Sequence, residues 1–174
     1  MDLSDTIFEV IDMRSFSNLW FWISLAVVWS SVSHWVLGVP WDMVLRARRK
    51  GGQAAEDFEA LLRINVNRLL YISEVSGLML TSFVAFVLTT LAVMGFYYRV
   101  EFAQAVFLLA FPLSIVGLLS LRSAKRIHDS SATGDDLSRL LTRHRISTQI
   151  VGVVSVFVTA MWGMMQNLSI GVLG

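Results

Sequence analysis

Val75-Ser-Gly-Leu-Met-Leu-Thr-Ser-Phe-Val-Ala-Phe-Val-Leu-Thr-Thr-Leu-Ala-Val-Met-Gly-Phe-Tyr-Tyr98 contains no Asp, Glu, Lys or Arg. Only Arg99-Val-Glu101 separates it from a second such run, Phe102–Leu121. About 20 apolar residues in a helix cross the ~30 Å hydrocarbon layer of a bilayer, and each run reaches that length. Lipid offers no partner to a backbone amide or carbonyl, so a crossing segment must satisfy its own, and both runs read as helices. The short link forces them into a tight antiparallel hairpin, in which residues equidistant from Val100 share a depth.

Working outward, Leu19–Val39 and Ile146–Gly174 are free of those four residue types as well, and both are long enough to cross. The expectation is an all-α polytopic membrane protein with four transmembrane helices and helical cytoplasmic extensions, both termini facing out. As a single membrane domain it divides into an outer interfacial segment (1–18), four spans (19–39, 75–98, 102–121 and 146–170) and two basic connections (40–74 and 122–145).

The composition agrees. Of 174 residues, 55% are hydrophobic and 16% are charged, against about 25% charged in an average soluble domain. Mean hydropathy is +0.64. That excludes an ordinary cytosolic enzyme, a disordered chain and a nucleic-acid binder; the net charge of +1 leaves nothing over for a phosphate backbone. Cysteine is absent, which excludes disulfides, thiolate catalysis and cysteine-ligated metal or iron–sulfur sites.

Orientation follows from Lys and Arg. The connection 40–74 carries Arg46, Arg48, Arg49, Lys50, Arg63 and Arg68; the connection 122–145 carries Arg122, Lys125, Arg126, Arg139, Arg143 and Arg145. Only Arg14 and Arg99 remain for the other side, so both basic connections are expected in the cytoplasm of a bacterial cell, with the chain in its inner membrane. The first run is not a cleavable leader, because Asp2, Asp5, Glu9 and Asp12 precede it instead of a basic segment. Leu3, Ile7, Val10 and Ile11 share a helical face opposite those acids, which suggests a helix lying in the outer interface. Residues 53–74 read as a helix with Phe58, Leu61, Leu62, Leu69 and Ile72 on its apolar side. No breaker separates it from the second span, so the two can form one rod of roughly 68 Å for about 45 residues. Gly51-Gly52 and Ser130–Gly134 are the flexible points, and no soluble domain fits in what remains.

Small residues recur at four-residue spacing in two spans: Ser73, Gly77, Thr81, Ala85 and Thr89, and Ser155, Thr159 and Gly163. That spacing lets helix backbones approach closely, either within the chain or against a partner or second copy. Pro112 frees the carbonyl of Leu108 and kinks the third span, with a gating hinge as the functional alternative. Glu74 and His34 are the ionisable groups nearest the bilayer; depth makes them functional candidates, as a polar pair or proton relay. The plainer alternative pairs Glu74 with Arg122, Lys125 or Arg126 and gives His34 a hydrogen bond to a neighbouring helix. Arg46, Arg48, Arg49 and Lys50 sit at a membrane exit, where each basic residue gains about 1 kcal/mol from anionic head groups. Trp20, Trp22, Trp35 and Trp41 flank the first span as interfacial aromatics, with Trp29 nearer its middle. One histidine in the spans is too few for bis-histidine haem. The phosphate loop, hydrolase elbow, zinc-protease helix, potassium filter and voltage-sensor arginine ladder are also missing.

Three strings carry a resemblance: Ile11-Asp-Met-Arg-Ser-Phe-Ser-Asn-Leu-Trp20, Ser33-His-Trp-Val-Leu-Gly-Val-Pro40 and Thr159-Ala-Met-Trp-Gly-Met-Met-Gln-Asn167. They resemble a family of small alphaproteobacterial four-span membrane proteins, often labelled a component of the SufBCD complex. The resemblance covers nearly the whole chain and implies an association with iron–sulfur assembly; it supplies no catalytic residue. The expected function is therefore a non-enzymatic accessory or assembly subunit, without cofactor or metal, that docks a membrane or peripheral partner and anionic lipid. A small homo-oligomeric channel or transporter using Glu74, His34 and the Pro112 kink is the alternative. A membrane-embedded enzyme is disfavoured because no nucleophile–base pair is visible.

Overall fold

The computed structural model describes residues 15–171. The interfacial helix expected before Leu19 falls mostly on residues 1–14, outside the described residues; Ser15–Ser17 forms a single 3-10 turn. Asn18 ends that turn in extended conformation and accepts the amide hydrogen of Trp20 at 3.0 Å, which caps the first helix, α1 (Leu19–His34). The helix stops short of the expected boundary at Val39. Leu37 and Gly38 both take positive φ (50° and 77°), making a hairpin turn between β1 (Trp35–Val36) and β2 (Val39–Pro40). The Asn65 side-chain amide donates to the Gly38 carbonyl at 3.2 Å and ties this hairpin to the next long helix. At 16 residues α1 is about 24 Å long, less than the hydrocarbon thickness.

A short basic helix, α2 (Trp41–Lys50), follows and is broken by Gly51 and Gly52, both at positive φ. Then comes the expected rod. α3 (Gly52–Ala92) is a continuous helix of 41 residues, closed by a π turn at Val93–Tyr97. Arg99, in the left-handed region, turns the chain into α4 (Glu101–Ser130), and a second break at Ser131–Thr133 leads into α5 (Gly134–Gly171). The Gly134 amide, an unpaired donor at the start of α5, is taken by Glu59 Oε1 at 2.8 Å. The fold is thus all-α apart from one two-residue hairpin. Among the described residues, α3 with its π turn, α4 and α5 are long and apolar enough to cross a membrane, while α1 is a shorter apolar helix.

The largest apolar core does not lie between those runs. It sits at the charged end, where Val36 and Val39 of the hairpin, Val44 of α2, Phe58, Leu62 and Val66 of α3, Ala124 and Ile127 of α4, and Leu137 and Leu141 of α5 pack together. Phe58, Leu62 and Val66 recur every four residues, one face of a helix, which is why the first half of the rod folds back onto its neighbours. The two basic connections are therefore built into one another, more ordered than the sequence suggests. A second, smaller cluster of Leu25, Trp29 and Val116 joins α1 to α4, with Val151 of α5 against it.

Candidate functional site

The two small-residue ladders have opposite fates. On α5, Ser155, Thr159 and Gly163 are buried, and Thr148 and Gly152 extend the same seam. A Cβ on Gly152 would come within 2.8 Å of the Trp29 ring, and one on Gly163 within 3.2 Å of Trp22 and 3.3 Å of Phe16, so α1 and its lead-in lie directly on the α5 backbone. The Ser155 hydroxyl points at the Leu108 carbonyl at 3.5 Å, the outer limit of a hydrogen bond. That carbonyl is the one Pro112 leaves without its helical donor, so the seam partly repairs the break in α4. Trp29 Nε1, Thr148 Oγ1 and Thr159 Oγ1 are buried along this seam without a hydrogen-bond partner.

On α3 the ladder faces away from the chain. Thr81, Ala85 and Thr89 are exposed, and the space over Gly77 is open but for its own Ser73 hydroxyl at 3.6 Å. The most apolar stretch of this helix has none of its residues buried, against 17% for α4 and 28% for α5. The Thr89 and Thr90 hydroxyls donate to carbonyls four residues back, so neither carries an unsatisfied donor into that surface.

A buried polar hub at the end opposite the charges was not singled out from the sequence. Gln104 is 3% exposed. Its amide nitrogen donates to the Gly95 carbonyl at 2.8 Å, and its oxygen accepts from Trp162 Nε1 and Gln166 Nε2, each at 2.9 Å. Gly95 lies in the π turn, and a Cβ there would come within 2.9 Å of the Gln104 backbone nitrogen. One amide therefore fastens the π turn, α4 and α5 together. Beside it, Glu101 accepts the Phe16 amide at 2.7 Å, the Trp22 indole donates to the Phe16 carbonyl at 3.1 Å, and the Ser17 hydroxyl donates to Asn167 at 2.7 Å. The signal was present: Gln104 is the only side-chain amide in the run Phe102–Leu121.

Glu74 and His34 are both apart from the core, and no hydrogen bond joins them. Glu74 forms no ion pair with Arg122, Lys125 or Arg126 either. Among the described residues the ion pairs are Arg46–Asp42 at 3.9 Å and Arg139–Asp136 at 3.7 Å, each within one helix and well exposed. Glu74 stands exposed on α3, out of reach of the basic residues of α4. His34 meets Trp35 edge to face, ring centres 5.9 Å apart. Arg48, Arg49 and Lys50 lie exposed on the last turn of α2, with Arg46 one turn earlier. Arg145, by contrast, is drawn inward, its guanidinium 4.4 Å above the Trp41 ring and its Nε 3.4 Å from the Ser33 carbonyl.

Between the charged ends of α4 and α5 lies a hollow of about 140 Å³, with Arg122, Arg126 and Arg143 around it and Ser123, His144 and Ser147 in its wall. His144 is buried and its Nδ1 is 3.0 Å from the Ser123 hydroxyl. It lies two residues before the apolar run that starts at Ile146, and desolvation lowers its pKa below the usual imidazole value. Among the described residues, no group of three His, Asp or Glu side chains is placed to hold a metal ion. No family model, curated protein or solved structure matches this chain.

Proposed function

We propose that the chain is a non-enzymatic integral membrane subunit that crosses a bacterial inner membrane four times and docks a helix of a membrane-protein partner along α3. The supporting observation is the outward ladder Gly77, Thr81, Ala85 and Thr89 on a helix whose most apolar stretch has no fully buried residue. Lipid tails gain nothing from small residues at four-residue spacing, whereas a facing helix gains close backbone contact. On α5, the equivalent spacing is spent on just such contact with α1 and α4. Twelve of the fourteen Lys and Arg residues in the two connections favour placing the charged end in the cytoplasm, with α1 crossing as the fourth, shortest span. The resemblance to proteins labelled as SufBCD components makes iron–sulfur assembly subunits the first partners to look for.

The test is a photo-crosslinking residue at Ala85, compared with one at Met79 on another face of the same helix, irradiated in the protein's own membrane. The expected result is one discrete protein adduct from position 85 and none from 79. Lipid adducts alone from both positions would overturn the docking face, and an adduct of the chain with its own copy would favour the homo-oligomeric channel instead.

A further inference from the structure

The hollow between α4 and α5 gathers like charges that nothing in it neutralises. Arg122 and Arg126 are four residues apart on one helix, an arrangement that repels in isolation, and Arg143 faces them from α5. No carboxylate lines the hollow. Asp129 lines the adjoining surface with Arg122, Lys125 and Arg126, but it forms no ion pair with any of them among the described residues. On the other side, Arg143 and Ser147 also border a shallower depression with Arg48 and Arg139, so positive charge continues around the foot of α5. The Ser147 hydroxyl adds a neutral donor among the guanidinium groups, while that of Ser123 is engaged with His144 Nδ1.

We propose that this hollow binds the phosphate of an anionic phospholipid. Guanidinium groups match phosphate oxygens in a two-pronged geometry, and three of them around one cavity suit a group with several charged acceptors. At about 140 Å³ the hollow is well beyond the ~10–15 Å³ that admits one water, and it has room for a phosphate group. The source is a lipid because of position: Leu119 lines the hollow, Leu121 ends one apolar run and Ile146 begins the other, so the cavity lies where hydrocarbon gives way to head groups. Basic pockets between helices at that level hold anionic head groups. The assignment rests on α4 and α5 lying in a membrane and not on a partner at α3. It also differs from charge on α2 acting as a diffuse anchor, because it needs side chains from two helices converging on one cavity.

The experiment titrates the purified full-length chain, in a zwitterionic detergent, with phosphatidylglycerol, phosphatidylcholine or inorganic phosphate. Native mass spectrometry reads bound lipid, and the thermal midpoint reads stabilisation. Retained phosphatidylglycerol and a raised midpoint are expected, with neither effect from phosphatidylcholine. The double variant Arg122→Gln/Arg143→Gln should weaken phosphatidylglycerol binding tenfold or more, and Arg63→Gln/Arg68→Gln on α3, outside the hollow, should change it less than twofold. Should the first variant fail to fold, Arg122→Lys/Arg143→Lys keeps the charge but loses the fork, and a loss of at least threefold is expected. Equal losses from the α3 control, equal binding of phosphatidylcholine, or full stabilisation by inorganic phosphate alone would each overturn the proposal.

Discussion

Gln104 and Thr159 show how differently two buried polar side chains can behave along the same helix interface. Gln104 bonds three groups on two other elements, the π turn and α5, so Gln104→Leu strands the Gly95 carbonyl and the Trp162 indole at once. Leaving a buried group unpaired costs about 1–3 kcal/mol in soluble proteins, and measured helix–helix hydrogen bonds in membranes average ~0.6 kcal/mol. Gln104→Leu is therefore expected to destabilise the chain by about 1–2 kcal/mol. Thr159 is fully buried with an unpartnered hydroxyl, so Thr159→Val, of the same shape, is expected to be neutral or stabilising. Thermal unfolding in detergent measures both, and a Gln104→Leu protein as stable as its parent would contradict the hub. Neither role was legible in the sequence. Gln104 is a lone amide in an apolar run, which spacing alone does not mark as a hub, because its partners lie 9, 58 and 62 residues away. Glu74 and His34 drew attention because an ionisable group near a bilayer is costly, yet depth says nothing of rotation, and both project away from the chain.

At the scale of elements, what the sequence reveals is continuity, and what it hides is coverage. The rod α3 was readable because nothing between Gly52 and Ala92 breaks it, and α4 runs as one helix through Pro112, whose ring has no amide hydrogen for the Leu108 carbonyl. The end of α1 was not, because Val36-Leu-Gly-Val39 is as apolar as the helix before it; the positive φ of Leu37 and Gly38 is what turns it into a hairpin. Nor could spacing tell which small-residue ladder another helix covers. Gly152→Leu is expected to cost about 1–3 kcal/mol through overpacking against Trp29, whereas Gly77→Leu, with open space above it, should leave the isolated chain's thermal midpoint unchanged. If both fall equally, the seam is not where α1 docks. Whether a helix of 16 residues crosses is decided by labelling, and the absence of cysteine makes the background clean. Single cysteines replacing Asn18, Arg99 and Ser131 are expected to react with an impermeant maleimide in intact cells at 18 and 99 only. Reaction at 99 alone would leave three crossings.

The whole molecule has a well-packed foot and a sparsely covered upper half. The foot carries most of the basic residues and the largest core, of which Phe58 and Leu62 were readable as an apolar helix face while Val44, Ala124, Ile127, Leu137 and Leu141 are scattered through two charged connections. Above it, α1, α4 and α5 are held by the α5 seam and the Gln104 hub, while α3 leans against α4 and keeps its apolar face outward. The most apolar stretch of α3 has no buried residue, and that surface is the one the proposed partner would cover. Native mass spectrometry of the chain gently extracted from its own membrane tests that most directly, with wild type beside Gly77→Leu. A stoichiometric foreign membrane subunit on the wild type, lost from the Gly77→Leu protein, is the predicted result. A bare monomer, or a homo-oligomer that survives the substitution, would contradict it.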